Sequence, residues 1–234
     1  MTTWPSPSAA EIRTAFKDHG IKRLVEEHDA ATRHRSMWQF GLRAMVDHHT
    51  AGVGEGVIAY MRNKGGRYPF CNSCPRRDGS LHVFSYGSVW GSGEGSWPYV
   101  PKIWANDLLH EVAWQTEIES SGVKPDFTDV QLETLGRQNA ALVDLGVPAG
   151  NEINHRDWAP RRKIDTLYDI KVLRDNTAKY LRRDDEVALS EEDVQRIAEA
   201  VWLRTVNVNG VDRKMGAITV ATWKNTKPDS DEAV

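Results

Sequence analysis

Residues 155–165 read HRDWAPRRKID, a charged segment in which a histidine and an aspartate stand ten positions apart. Two other short segments carry similar polar side chains: residues 47–52 read DHHTAG, and residues 116–119 read TEIE. A catalytic zinc site takes three protein ligands from imidazole, carboxylate or thiolate groups. One histidine of segment 47–52, together with the histidine and final aspartate of segment 155–165, would supply three. The spacing therefore permits a metal site and leaves open which of the paired histidines binds.

A hydrolytic metal site also needs a general base and a group that stabilises an oxyanion. Glu117 is the candidate base. Glu119 lies on the same face of the predicted strand, so it is the alternative, and we favour Glu117. Lys163 stands two residues before Asp165 and would bring a positive charge close to the metal.

The details of segment 155–165 resemble the C-terminal metal motif of the type-2 N-acetylmuramoyl-L-alanine amidases. That family includes phage endolysins, bacterial muropeptide-recycling amidases and animal peptidoglycan recognition proteins. The pattern His-x-Asp-x-Ala-Pro-x-Arg-Lys-x-Asp is met at every fixed position, by His155, Asp157, Ala159, Pro160, Arg162, Lys163 and Asp165. Segment 47–52 is similar to the family's His-His-Thr-Ala. The Glu-containing strand is similar to its Gly-Ile-Glu, with Thr116 in place of the glycine.

The resemblance implies a fold, a reaction and a role for each residue. The implied fold is α/β, with a central mixed β-sheet flanked by helices. The implied reaction is hydrolysis of the amide between the lactyl group of N-acetylmuramic acid and L-alanine. By this match His48, His155 and Asp165 bind Zn²⁺, and His49 does not. Glu117 then activates the water and Lys163 stabilises the oxyanion.

The glycine-rich region supplies the candidates for binding substrate. Residues 93–98 and 105–106 resemble endolysins of phages that infect actinobacteria. Many family members carry a histidine in this loop, whereas this chain has Trp90-Gly91-Ser92. The exposed aromatic rings expected here could stack on sugar faces. The candidate substrate-binding residues are Trp90, Trp97, Arg162 and His49.

The composition excludes several classes of protein. The chain has 234 residues, 40% of them apolar and 27% charged, with nine tryptophans and a net charge of -3. These values describe a folded globular chain and not a disordered one. No apolar run approaches the ~20 residues that span a bilayer, and the polar N-terminus predicts no signal peptide. The near-neutral charge argues against a general nucleic-acid binder, and two cysteines exclude a disulfide scaffold.

The chain is predicted to divide into three parts. They are an N-terminal helical extension packed on the core (1–39), the zinc amidase domain (40–185), and a C-terminal appendage with a helix and a candidate hairpin (186–234). Apolar periodicity predicts helices over 9–31, 32–39, 53–64, 126–146, 168–181 and 190–202, and strands over 41–48 and 112–119. Turn and glycine signals predict a turn at 77–80, a mobile surface loop at 87–95, a loop at 151–165 and a hairpin within 206–224.

Cys71 and Cys74 form a Cys-x-x-Cys pair that could be a redox pair or half of a structural zinc site. The chain has no second pair of this kind, and the motif lies in a region predicted to be a strand. We therefore favour structural cysteines.

The favoured function is that of a phage-type endolysin. It would be made in the host cytoplasm without a signal peptide and act on the cell wall after release. Its expected partner is bacterial peptidoglycan, without nucleic acid or membrane, and it is expected to be a monomer. Two alternatives stay open: a cytosolic muropeptide-recycling amidase and a non-catalytic peptidoglycan-binding module. Modules of that second kind lose a metal ligand, whereas this sequence keeps all three.

Overall fold

The computed structural model describes residues 4–63, 68–96, 108–181, 205–208 and 211–214. The chain up to Arg182 forms one compact unit, and the chain from Arg183 onward forms a second. The elements of the first unit are α1 (Ala9–Asp18), β1 (Leu24–Glu26), β2 (Ala44–His49), α2 (Glu55–Asn63), β3 (Ser73–Pro75), β4 (Leu81–Val83), β5 (Ala113–Ile118), α3 (Asp129–Asp144), β6 (Glu152–Asn154), α4 (His155–Trp158) and α5 (Ile170–Ala178). The second unit contributes β7 (Thr205–Val208) and β8 (Val211–Lys214).

Six strands form one sheet in the order β1-β4-β3-β5-β2-β6. The β3–β4 pair is antiparallel, and the other neighbouring pairs are parallel. The sheet is therefore mixed, and helices flank it. This architecture confirms the predicted α/β fold class.

The two faces of the sheet pack against different layers, because successive side chains of a strand point to opposite faces. Met45 and Trp114 join the larger core with residues of α1 and α3, and Trp114 meets Phe16 edge to face at 5.5 Å between ring centroids. On the other face, Val46 and Ala113 pack in a separate cluster that includes Trp158 of α4. That second face also carries the polar side chains of the candidate site.

Local capping interactions stabilise the starts of two helices. At α1, the Ser8 hydroxyl accepts from the Glu11 backbone N–H, and Glu11 accepts from the backbone of Ser8 in return. Thr128 and Gln131 make the same reciprocal pair at α3. Each such cap contributes about 1 kcal/mol. The helix predicted to end at residue 146 ends at Asp144, and Gly146 follows it with a φ of +99°.

The predicted helix over 9–31 is wrong beyond Asp18. Gly20 adopts a φ of +77°, which ends the helical path. The apolar residues that follow form β1, which pairs in parallel with β4. The predicted helix over 32–39 is also wrong, because its backbone bonds elsewhere. The Arg35 N–H donates to the Ser88 carbonyl at 2.9 Å, and the Ser88 N–H donates to the Ser36 carbonyl at 2.8 Å.

The remaining predicted elements are found with shifts of a few residues at their ends. The strands over 41–48 and 112–119 correspond to β2 and β5, and the helices over 53–64, 126–146 and 168–181 correspond to α2, α3 and α5. The turn at 77–80 joins β3 to β4. The predicted loop at 151–165 is wrong in its first half, where β6 pairs with β2 and α4 follows directly.

The structure describes one pair of strands in the second unit. Strands β7 and β8 form an antiparallel hairpin with Thr205 opposite Lys214, whereas the predicted helix over 190–202 lies outside the described residues. Cys71 and Cys74 are buried free thiols, as expected for structural cysteines. Among the residues described, no helix is long and apolar enough to cross a membrane.

A buried carboxyl pair lies between the sheet and α3. Asp47 on β2 and Glu152 on β6 are both 0% exposed. Burial, followed by the charge of Glu152, raises the pKa of Asp47 well above its ordinary value. The Asn139 side-chain amide donates to Glu152 at 3.0 Å. Burial raises the pKa of Glu152 as well, so the two carboxyl groups titrate as a coupled pair.

We expect Asp47→Asn to stabilise the protein at neutral and alkaline pH. An acid whose pKa is raised in the folded state binds more protons there, so wild-type stability falls as pH rises above the unfolded-state pKa of about 4. Asparagine does not titrate. The free energy of unfolding of the variant should therefore exceed that of the wild type by about 1–3 kcal/mol at pH 8 and by less at pH 4. Urea unfolding at both pH values measures the difference, and a larger advantage at pH 4 would contradict it.

Candidate functional site

Three predicted ligands meet at one edge of the sheet. His48 lies near the carboxyl end of β2, His155 begins α4, and Asp165 lies in the loop that follows α4. His48 Nδ1 is 3.2 Å and His155 Nδ1 is 2.9 Å from the same oxygen, Asp165 Oδ2. The two imidazole rings have centroids 4.2 Å apart. Both histidines are at least 98% buried.

The topology explains why residues 107 positions apart in the sequence, His48 and His155, come together. Strands β2 and β6 are parallel neighbours, so their carboxyl ends reach the same edge of the sheet. His155 follows β6 at once and enters beside His48. The loop after α4 brings Asp165 back beside the start of that helix, where the Arg156 N–H donates to the Asp165 carbonyl at 2.5 Å. The Thr166 hydroxyl donates to Asn154 at 2.8 Å and holds the end of this loop against β6.

The donor set fits a divalent metal. The ligand atoms of the three residues lie within 4.8 Å of one another. Two imidazole nitrogens and one carboxylate oxygen are a ligand set that suits zinc and leaves a position for water. The second nitrogen of each ring is occupied, since His48 Nε2 lies 2.8 Å from Gln115 Oε1 and His155 Nε2 lies 2.8 Å from the Ser92 carbonyl. Both Nδ1 atoms are therefore available to a cation.

The pKa values of two of the three candidate ligands also favour the binding of a cation. Burial, followed by the charge of His48, lowers the pKa of His155 to about 4. Burial alone would raise the pKa of Asp165, but its contacts with His155 and His48 hold it well below the ordinary value. Burial would lower the pKa of His48, but Asp165 and then Glu117 raise it. Near neutral pH His155 is therefore neutral and Asp165 is ionised, which are the forms that bind a metal.

Glu117 lies directly opposite His48 in the register of β5 and β2. Its side chain is on the face that carries the ligand cluster, and the residue is 5% exposed. Glu119 has a different role. Its carboxylate accepts from the Gly54 N–H at 2.6 Å, the Arg77 N–H at 3.0 Å and the Arg76 side chain at 2.8 Å. Glu119 therefore ties two loops together, and Glu117 is the carboxylate beside the cluster.

Two basic residues of the segment occupy different positions. Lys163 is half-buried, and its charge is one of the factors that lower the pKa of His155. The Arg162 guanidinium donates to the carbonyls of Ser92 at 2.9 Å and Glu94 at 2.6 Å. Arg162 thus fastens the glycine-rich loop to the metal-ligand segment, a role that the sequence did not suggest.

The structure describes two of the three other candidate substrate residues. His49 is half-buried and points away from His48, since neighbours in a strand face opposite sides. Trp90 is 42% exposed on the glycine-rich loop. Trp97 and residues 105–106 lie outside the described residues.

The glycine-rich segment 87–95 is wrongly predicted as a surface loop, because much of its first half is buried. Ser88 and Ser92 are both 0% exposed. A Cβ at Gly91 would lie 2.5 Å from Gln115 Oε1, so only glycine permits this approach. The sequence did not indicate that Gln115 and Ser92 contact the two histidines. The alternation of β5 could have revealed Gln115, because it stands two residues before Glu117 on the same face.

Solved structures share the fold of this chain at low sequence identity. No protein-family model matches the sequence, and no curated protein matches it. A selenomethionine derivative of AmpD superposes with a TM-score of 0.51 and 17% identity, over 70% of this chain and 96% of AmpD. The endolysin N-acetylmuramoyl-L-alanine amidase LysCS from Clostridium intestinale URNW gives 0.50 and 14%, over 70% of this chain and 99% of LysCS. The chain has the fold of LysCS and AmpD. At these identities the likeness establishes the architecture alone.

Proposed function

We propose that this chain is a zinc-dependent N-acetylmuramoyl-L-alanine amidase. The proposal is carried by the convergence of His48, His155 and Asp165 on one point, with Glu117 in register beside His48. The fold agrees, because LysCS is an endolysin of that activity. The ligand set is complete, which argues against a non-catalytic binding module.

The residues around the cluster can carry out the hydrolysis of an amide. His48, His155 and Asp165 would hold the zinc ion, which would lower the pKa of a water molecule and polarise a carbonyl. The Glu117 carboxylate accepts a proton from the attacking water and returns it to the leaving nitrogen. The Lys163 ammonium stabilises negative charge on the carbonyl oxygen. The C–N bond breaks and a C–O bond forms, leaving a lactyl carboxylate and the free amine of L-alanine.

We propose an endolysin role in preference to muropeptide recycling. The support is a second compact unit from Arg183 onward, which a compact recycling enzyme does not need. The test compares intact cross-linked walls with soluble muropeptides as substrates, and mass spectrometry identifies the bond cut. New N-terminal L-alanine on intact glycan strands is the expected product. Cut glycans would contradict the amidase proposal, and hydrolysis of soluble muropeptides without wall cleavage would contradict the endolysin role.

Trp90 is proposed to stack on a sugar ring of the glycan. The Arg35 guanidinium carbon lies 3.8 Å from the centroid of its ring, and the His110 ring centroid lies 4.9 Å away. These contacts brace the ring while 42% of the residue stays exposed.

We expect Trp90→Ala to raise KM for polymeric wall about 3- to 10-fold with a smaller change in kcat, because stacking contributes about 1 kcal/mol. Trp90→Phe should keep most of the affinity, since it retains an aromatic face. Steady-state kinetics on purified walls measures both variants. An unchanged KM in Trp90→Ala would rule out the stacking role.

A further inference from the structure

We infer that Gln115 and Ser92 act as one positioning bridge that fixes both histidine ligands. The inference rests on the proposed zinc site but concerns residues outside the ligand set. Gln115 lies on β5, and Ser92 lies on the glycine-rich loop. Each contacts one of the two histidines, and they also contact each other.

The contacts define which nitrogen of each ring carries its proton. Gln115 Oε1 accepts from His48 Nε2 at 2.8 Å and from the Ser92 hydroxyl at 2.7 Å. The Ser92 carbonyl accepts from His155 Nε2 at 2.8 Å. Amide and carbonyl oxygens only accept, so both imidazoles carry a proton on Nε2. In the neutral rings, both Nδ1 lone pairs then face Asp165 Oδ2 and are ready to bind a cation.

The bridge is held rigidly in place. Gln115 and Ser92 are both 0% exposed. The Gln115 amide nitrogen donates to the Ala113 carbonyl at 3.4 Å, which orients its oxygen toward His48. The Arg162 guanidinium donates to the Ser92 carbonyl, and the Trp158 indole donates to the Gly93 carbonyl at 2.9 Å. The loop therefore cannot move without breaking several hydrogen bonds, two of which are buried.

This arrangement couples two ligands that come from separate elements. A neutral imidazole binds a metal through the nitrogen that lacks the proton, and the partner of the other nitrogen selects it. Without the Gln115 acceptor, His48 can place its proton on Nδ1 and donate it to Asp165. This hydrogen bond would occupy His48 Nδ1 and Asp165 Oδ2, which are two of the three ligand atoms. Gln115 and Ser92 therefore have a defined task in orienting the ligands.

The test measures zinc affinity by competition with a chromophoric chelator. Gln115→Leu is expected to lower zinc affinity about 10- to 100-fold. Gln138→Leu is the matched control, because Gln138 is equally buried and bonds to Ser73 and Thr116 on the opposite face of the sheet. Gln138→Leu should lower the free energy of unfolding without changing zinc affinity. Gln115→Glu keeps the acceptor and should restore affinity to near the wild-type value.

A second readout is independent of activity and affinity. Long-range 1H–15N correlation spectra of the zinc-loaded wild type should show a protonated Nε2 in His48 and His155. The Nε2 proton of His48 should exchange faster in Gln115→Leu. Ser92→Ala, a milder change that keeps the backbone carbonyl, should lower affinity by a smaller factor. A proton on Nδ1 of either ring, or wild-type affinity in Gln115→Leu, would overturn the bridge. A wild type that binds no zinc would instead overturn the proposed function, and the bridge with it.

Discussion

Glu117→Gln is expected to lower kcat by about 10²- to 10⁴-fold while bound zinc stays at the wild-type level. Glutamine has the shape of glutamate but cannot accept the proton of the attacking water. Glu117 is the carboxylate beside the cluster, opposite His48 in the register of the two central strands. The measurement is the release of N-terminal L-alanine from purified walls, together with zinc analysis of the same protein preparation.

Glu119→Gln is the control for this prediction, because it changes a second carboxylate of the same chain segment. Glu119 accepts from Arg76, Arg77 and Gly54, so its loss should lower the melting temperature. Its effect on kcat should stay below about tenfold, since it takes no proton in the reaction. If Glu119→Gln proved the more damaging to kcat, the assignment of the base to Glu117 would be wrong.

His48→Ala is expected to abolish stable zinc binding and to lower activity more than about 10³-fold. The variant removes one of three ligands, and the remaining pair, His155 and Asp165, cannot complete the site. A ligand that binds only the folded state raises its stability. Chelator should therefore lower the melting temperature of the wild type but leave that of His48→Ala unchanged. Metal analysis and thermal unfolding with and without chelator test both statements.

His49→Ala provides a matched control from the adjacent residue. His48 and His49 are neighbours in one strand and point to opposite faces. His49→Ala should keep one zinc per chain and should keep the effect of chelator on the melting temperature. Loss of zinc in His49→Ala with retention in His48→Ala would show that the ligand assignment is reversed.

Much of the candidate site could be predicted from the sequence, because the relevant signals are short. The resemblance of segments 155–165 and 47–52 to the amidase motifs indicated His155, Asp165 and His48. Helix ends were predictable where capping is local, as at Thr128 and Gly146. The predicted helix over 9–31 was wrong because periodicity could not reveal that its second half pairs with β4, more than 50 residues further along the chain.

Only the tertiary structure decided how the site residues are arranged. The sequence favoured Glu117 over Glu119, and the structure adds the reason that Glu119 is engaged by Arg76 and Gly54, which lie more than 40 residues away in the sequence. The orientation of the two imidazoles likewise depends on Gln115 and Ser92, more than 60 residues from the histidines they contact. The sequence alone determined which side chains could bind a metal and where the two helices with capping boxes begin, because those properties depend on residue type and near neighbours. The protonated nitrogen of each histidine is set by buried acceptors that folding brings within 3 Å.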